Sequence, residues 1–523
     1  MKEHTMKINS YLKLVFCTVV LLVSVNLAYA GYPEVQGVNL LPGTSNQAPD
    51  YFCTWNIQGY YCSYSSSVAM RDEMVEGNIF GTGQYQNWAG QFSDLQSDLI
   101  FVLDDSWDAP TSATSDYLDY YGLMSLDGVK FPSYYDNTPT PAEGLRNLTA
   151  AIEARGWKGV GLWVCAQQAP KLEQIDEAEY WAERLKWSHE AGIDYWKVDW
   201  GKRKRDLEWR KMLTDLGRIH APDLIIEHAM LYEAVEFSDV FRTYDVENVI
   251  SIPVTISRVA DLLGYSADKT AKGLVNCEDE PYIAAALGCA IGVMRHEFNG
   301  DLPDGTQDFA FPPVGRDLKS RLDCEKRAVR WHRIAAPFGV DGVVNVDSRE
   351  LEDFWVLGER ETYVNRKVGD TIRESAPARV SRGLPLAEIS DPDTAEAQPY
   401  VLAARYPNGA ISIATIGRTL ERTYINAKKD ITLSIPKLNV PIGIFGEYKS
   451  LTFKLPSAIA SHAAKVMAQD LAGDRVYDVT AAITFDGNTF TVPGDLISEV
   501  GLDAATAGDQ SEPGLVIRCN VEP

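Results

Sequence analysis

Residues 193–200 read Ile193-Asp194-Tyr195-Trp196-Lys197-Val198-Asp199-Trp200, and this stretch sets the architecture. A short apolar run, Ile193 to Val198, has strand character and ends abruptly in an acid. Before it lies Glu177–Ala191, where Trp181, Leu185, Trp187 and Ala191 recur at near-helical spacing, with Gly192 placed as a C-cap. The same helix-then-strand unit repeats along residues 52 to about 340. Candidate strands are Phe52–Ile57, Leu99–Leu103, Val160–Cys165, Ile193–Val198, Leu224–Glu227, Val240–Tyr244, Gly273–Asn276 and Gly292–His296. Helical patterns separate them, among them Pro141–Arg155, Asp206–His220, Val254–Leu263, Tyr282–Ala290 and Arg327–Ala336. Eight strands alternating with helices predict an α/β fold, a (β/α)8 TIM barrel with a parallel sheet.

Working outward, the N-terminus has Lys2, Lys7 and Lys13, an apolar run from Leu14 to Val25, and Ala28-Tyr29-Ala30. That order predicts a signal peptide over residues 1–30, cut after Ala30, and hence export to a periplasm or the exterior. The run is shorter than the ~20 residues a bilayer core requires, so no membrane insertion is expected after cleavage. Residues 31–523 exceed what one compact core usually serves, and two domains are expected: a catalytic barrel over 31–340 and a C-terminal β domain over 341–523. In the latter, FWVLG, ISIATIG, DITLSI and YKSLTFKL alternate apolar and polar residues, with Asn408-Gly409 and Asp486-Gly487 as turns. An antiparallel β-sandwich packed against the barrel follows from that texture.

The formal charge of −24 argues against nucleic acid or anionic membranes as partners. Outside the leader the cysteines are Cys53, Cys62, Cys165, Cys277, Cys289, Cys324 and Cys519. Their number is odd, so at least one thiol stays free, and Cys53–Cys62 is the expected local disulfide in an exported chain. No HExxH or paired-cysteine spacing occurs, so neither a metal site nor a cofactor is expected.

Parallel barrels carry their chemistry at the C-terminal ends of the strands. Here those ends read Asp104-Asp105-Ser106-Trp107-Asp108, Lys197-Val198-Asp199, Glu227-His228, Phe241-Arg242-Thr243-Tyr244-Asp245 and Asn276-Cys277-Glu278-Asp279. So many acids on one rim repel one another and cost desolvation energy unless a hydroxyl-rich ligand uses them. Glycoside hydrolysis needs one ionised and one protonated carboxyl group flanking a single bond. Asp199 suits the ionised role, because strand alternation puts Lys197 on its face and a nearby ammonium lowers a carboxyl pKa by ~1–3 units. Asp245 sits where the partner acid should be, raised by the charge of Asp199. Arg242 opposes that unless it is directed at the sugar or at another acid. The expected partner is therefore an oligosaccharide or polysaccharide substrate.

DDSWD, YWKVDW and FRTYD, in this order and spacing, resemble glycoside hydrolase family 27 and its clan relatives, the α-galactosidases and α-N-acetylgalactosaminidases. Gly122-Leu123 through Phe131-Pro132 resembles the family's text before its third strand. The resemblance implies Asp199 as nucleophile and Asp245 as acid/base of a retaining mechanism. It implies that Asp104 and Asp105 grip sugar hydroxyls, that Lys197, Glu227 and Arg242 contact the ring, and that Trp55 is an aromatic wall. Asn276 and Asp279 resemble the family's seventh-strand motif, whose Asp-Pro-Asp segment is replaced here by Cys277-Glu278-Asp279. The third strand departs too: it reads Gly161-Leu162-Trp163-Val164-Cys165-Ala166, which makes Trp163 a candidate sugar contact. These departures leave an α-galactosidase-like exo-hydrolase as the leading expectation. Alternatives are a clan relative acting on a β-L-arabinopyranoside, an α-N-acetylgalactosaminide or a modified galactoside, and a catalytically silent sugar-binding protein.

Overall fold

A computed structural model describes residues 31–135, 138–243, 250–265, 273–298, 300–306, 321–340, 342–359, 366–390, 398–459 and 464–521. The expected signal peptide and Asp245 lie outside the described residues. Eight parallel strands close into a barrel in sequence order: β1 (Tyr51–Cys53), β2 (Ile100–Leu103), β3 (Gly159–Val164), β4 (Tyr195–Val198), β5 (Ile225–His228), β6 (Val240–Arg242), β7 (Leu274–Glu278) and β8 (Ala290–Val293). Closure is made by β1 against β8, with Tyr51 opposite Gly292.

Strand alternation sorts the side chains. In β4, Trp196 points outward and its indole N–H donates to Ser188 Oγ (3.0 Å) on the helix Glu177–Ala191, whereas Tyr195 joins the barrel interior beside Tyr51, Cys53, Val102 and Met294. The helices begin where their sequences provide caps. Asp176 accepts the N–H groups of Ala178 and Glu179, and Asp206 accepts that of Trp209. Helix Glu177–Ala191 ends at Gly192, whose φ of 73° is a left-handed conformation suited to glycine.

The first strand is shorter than its β-branched and aromatic text suggests. It stops at Cys53, and Trp55–Tyr61 is a helix. The cause is competition for hydrogen bonds: the Thr54 N–H still donates to Val102 O (3.2 Å), but the Thr54 carbonyl accepts from Gln58 N (2.9 Å), which turns the chain into a helix. Similarly, β8 ends at Val293, so Met294–His296 form the rim rather than strand.

The C-terminal region is β-rich and layered. An eight-stranded sheet and a five-stranded sheet enclose a second apolar core that includes Val401, Ile413, Leu433, Ile442, Leu451, Phe453 and Phe490. A four-stranded sheet adds to these. Pairing is mixed rather than purely antiparallel: Arg379–Arg382 runs parallel to Tyr400–Arg405, and Asp430–Ser434 parallel to Ser450–Lys454. Alternation reports which face of a strand is buried and is blind to the direction of its neighbour.

Barrel and β domain share buried contacts. Arg327, on the helix Leu322–Trp331, makes a two-pronged pair with Asp470 (2.9 and 3.1 Å), both side chains being fully buried. The segment after residue 31 also spans the two. Val35 N donates to Val476 O (2.8 Å) in the β domain, and Asn46 N to Asp98 Oδ1 (2.7 Å) ahead of β2.

Candidate active site

Asp199 follows β4 directly, its N–H still donating to Val164 O on β3 (3.0 Å). One carboxylate oxygen, Oδ1, lies 3.1 Å from the Arg242 guanidinium at the end of β6. The other, Oδ2, accepts the Trp163 indole N–H from β3 at 3.0 Å. From behind, Arg210 on the helix Leu207–His220 donates to the Asp199 carbonyl (3.1 Å) and to that of Val198 (3.3 Å), which fixes the strand end. Burial works to raise the Asp199 carboxyl, but Arg242, then Lys197, the Trp163 hydrogen bond and Arg210 outweigh it and hold it below the ordinary aspartate range. Asp199 is therefore held as an anion by one indole donor and one close guanidinium charge.

Lys197 acts less directly than the sequence predicts. Its ammonium is on the inward face, as alternation requires, yet its close partner is Asp104 Oδ2 (2.9 Å) on the β2 end. The Cys53 thiol donates to that same oxygen (2.8 Å), and Lys197 Nζ reaches Cys53 Sγ at 3.4 Å. Lys197 thus biases Asp199 by its field, while close contact with the carboxylate belongs to Arg242. The expected Cys53–Cys62 disulfide is absent, since both thiols are free. Cys53 faces the barrel interior, and burial followed by the Asp104 charge raises its thiol well above the usual range, so it serves as a neutral donor.

Arg242 binds three acids. Besides Asp199 it lies 3.6 Å from Glu227 Oε1 and 3.5 Å from Glu278 Oε1, with its own side chain 1 % exposed. Glu227 Oε2 accepts from Tyr195 OH (2.7 Å) and Asn276 Nδ2 (3.0 Å). Burial, reinforced by Glu278, pushes Glu227 up to about 7 against the opposing pull of Arg242. Glu278 accepts from Tyr51 OH (2.7 Å) and sits 3.6 Å from Lys197. A buried cluster of this kind keeps its charges only when each is paired and hydrogen-bonded.

Asp105 is also engaged: Arg71 Nε lies 2.9 Å from Oδ2, and Ser106 Oγ donates to Oδ1 (2.8 Å). Arg71 in turn packs over Trp200 (5.3 Å) and Tyr121 (5.9 Å). Trp163, Trp200 and Tyr121 form an aromatic wall with ring centroids 5.3–6.1 Å apart. The expected wall residue, Trp55, starts the first rim helix and packs on the cluster containing Cys53 and Met294. Asp279 stands apart from the Asp199 cluster, bound to Arg295 (3.3 Å) and the Met294 N–H (3.1 Å), and burial raises it to about 7. So Asp199, Trp163, Lys197, Arg242, Glu227 and Asp104 form one linked cluster, with Asp105 as the neighbour of Asp104. Tyr51, Cys53, Arg71, Tyr195, Arg210 and Glu278 belong to it as well and were not singled out from the sequence. The signal for Tyr51, Cys53 and Tyr195 was their alternation with outward Phe52 and Trp196, which puts Tyr195 on the inward face with Lys197.

No family model and no curated protein matches the chain. Among solved structures it is similar to α-galactosidase I from Mortierella vinacea, at 12% identity and a TM-score of 0.39, covering 90% of this chain and 96% of that one. It is also similar to a family-27 β-L-arabinopyranosidase from Geobacillus stearothermophilus, at 11% identity and a TM-score of 0.40, covering 91% and 96%. A putative α-N-acetylgalactosaminidase from Bacillus halodurans matches at 11% identity and a TM-score of 0.40, covering 93% and 100%. What the site can do rests on its own geometry.

Proposed function

We propose that the chain is a retaining, exo-acting α-glycosidase, α-galactosidase-like, with Asp199 as its nucleophile. The observation that carries this reading is an ionised carboxylate at the end of β4, buried to 7 % exposure and oriented through both oxygens by Arg242 and Trp163. In the first step an Asp199 oxygen bonds to the anomeric carbon as the bond to the leaving oxygen breaks, and the acid delivers its proton to that oxygen. In the second, water displaces the carboxylate and returns a proton to the same acid, so two inversions give net retention. Asp245 is assigned as the acid/base; a retaining mechanism requires its two carboxyl groups to stand about 5–5.5 Å apart. The deep setting of Asp199 suits a chain end rather than an internal bond.

One observation favours a sugar other than plain galactose. Asp105, expected to grip hydroxyls, already holds Arg71 and Ser106. We therefore include β-L-arabinopyranosides, α-N-acetylgalactosaminides and modified galactosides among the candidate substrates. The reading further includes export through a leader cleaved after Ala30, which N-terminal sequencing of the mature protein tests.

Aryl α-D-galactoside, α-N-acetylgalactosaminide and β-L-arabinopyranoside form the test panel. Asp199→Ala should abolish turnover of the accepted substrate, and azide should restore it with inversion, giving the β-azide from an α-galactoside. An active Asp199→Ala refutes the nucleophile assignment; a wild type inert on the whole panel favours the sugar-binding alternative.

A further inference from the structure

Among the described residues of the cluster, Glu278 is the acid that reaches both Lys197 and Arg242. It is the last residue of β7, is 1 % exposed, and its Oε1 lies 3.5 Å from Arg242 NH1 and 3.6 Å from Lys197 Nζ. Tyr51 OH on β1 donates to the same oxygen at 2.7 Å, fixing the carboxylate from two strands further round the barrel. Those two cations are the ones whose charges act most strongly on Asp199.

We propose that Glu278 is a positioning residue for the nucleophile: it clamps Arg242 and Lys197 and supplies the counter-charge that Arg242 keeps once Asp199 is esterified. This rests on the function proposed above. When Asp199 bonds to the anomeric carbon it loses its negative charge, and Arg242 loses the partner at 3.1 Å. A buried guanidinium without a partner is costly. Glu227, the other acid near Arg242, is held up near neutral pH by burial and is therefore a weak reserve. In the free enzyme Glu278 has the opposite effect: it tempers the cations, so that Asp199 is not stabilised so strongly as an anion that it ceases to attack.

Several groups face the two carboxyls. Around Asp199 they are Arg242, Lys197, Arg210, the Trp163 N–H and the Cys165 thiol. Around Glu278 they are Tyr51, Arg242, Lys197, Glu227 and Asp279. Removing the Glu278 charge leaves Asp199 facing less-compensated cations, so its carboxyl must titrate lower.

The test compares the wild type with Glu278→Gln, which keeps shape and hydrogen bonding. Proteins carrying carboxyl-¹³C aspartate are titrated by NMR, the Asp199 resonance being identified by its loss in Asp199→Asn. Its midpoint should fall by about 1 unit in Glu278→Gln, the lower end of charge–charge effects in proteins. On the accepted substrate, kcat/KM should drop about tenfold, the equivalent of one such unit. Its acid limb should move down and less glycosyl-enzyme should accumulate, because a more stable carboxylate leaves more readily. Glu278→Asp, which draws the charge back by one methylene, should give part of each effect, and it replaces Glu278→Gln should that variant not fold. An Asp199 midpoint that stays put or rises overturns the proposal, and so does a lower kcat/KM with an unmoved acid limb. A wild type without turnover counts against the proposed function alone; the titration then decides the role of Glu278 by itself.

Discussion

Trp163→Phe removes one donor from Asp199 while keeping an aromatic ring in the wall. The lost bond runs from the indole N–H to Asp199 Oδ2 at 3.0 Å, at a carboxylate too buried for water to replace it freely. A hydrogen bond to an ionised acceptor contributes about 1.5–3 kcal/mol, and one pKa unit is about 1.36 kcal/mol. The Asp199 carboxyl should therefore rise by about 1–2 units from its depressed position. The sign for stability follows. A carboxyl depressed in the folded state adds stability above its unfolded value, near 3.9, and that stability is lost as pH falls through the folded value. With the donor gone the contribution shrinks, and its loss is complete at a higher pH. The smaller ring also loosens packing against Tyr121 and Trp200, a cost on the order of 1–2 kcal/mol that does not vary with pH. Urea unfolding at pH 7 and at about pH 2, on either side of that range, separates the two terms, and the acid limb of kcat/KM on the accepted substrate reads the site itself. An acid limb unmoved in a folded Trp163→Phe would refute the view that the indole holds the charge on Asp199.

Glu227 is pushed up to about 7 by burial, so the folded state binds a proton that the unfolded state has released. Stability should then fall between about pH 4.5 and 7, by roughly 3 kcal/mol from this group, and Glu227→Gln should flatten that slope in urea unfolding across the same range. Asp470→Asn leaves buried Arg327 without its two-pronged partner and should lower unfolding free energy by about 3–5 kcal/mol. Lys449→Ala, at an exposed pair with Asp430, should change it by less than about 1 kcal/mol. Maleimide labelling of the native protein should modify Cys62, the half-buried thiol, ahead of the buried Cys53, Cys165, Cys277, Cys289, Cys324 and Cys519. Labelling of Cys53 at an equal rate without denaturant would contradict its place inside the barrel.

Much of the site was legible because a parallel barrel turns linear spacing into position. A residue just past an inward strand residue lies on the rim, so Asp104, Asp199, Glu227 and Arg242 could be listed from strand ends alone. Pairings were not legible. Lys197 and Asp199 lie two residues apart on one strand, and nearness in sequence suggested a couple. The ammonium instead crosses to Asp104 on β2, and the guanidinium from β6 takes Asp199. Cys53 and Cys62 were close in sequence for the same misleading reason: the chain between them turns into a helix, and Cys53 points inward. Glu278 was read as one letter of an altered motif, and its link to two cations exists only once β4, β6 and β7 curve around a common axis.

The sequence alone determined the repeating strand–helix unit, the barrel closed from eight such units, the β-rich region behind it, and the concentration of acids on one rim. These are properties of periodicity and of residues near one another along the chain. Tertiary structure decided which acid meets which cation, which carboxyls are ionised or protonated, and how the barrel and β domain join through Arg327 and Asp470. Such outcomes depend on distances between strands far apart in sequence and on removal from water, and burial and charge pairing act through space, which the order of residues does not encode directly.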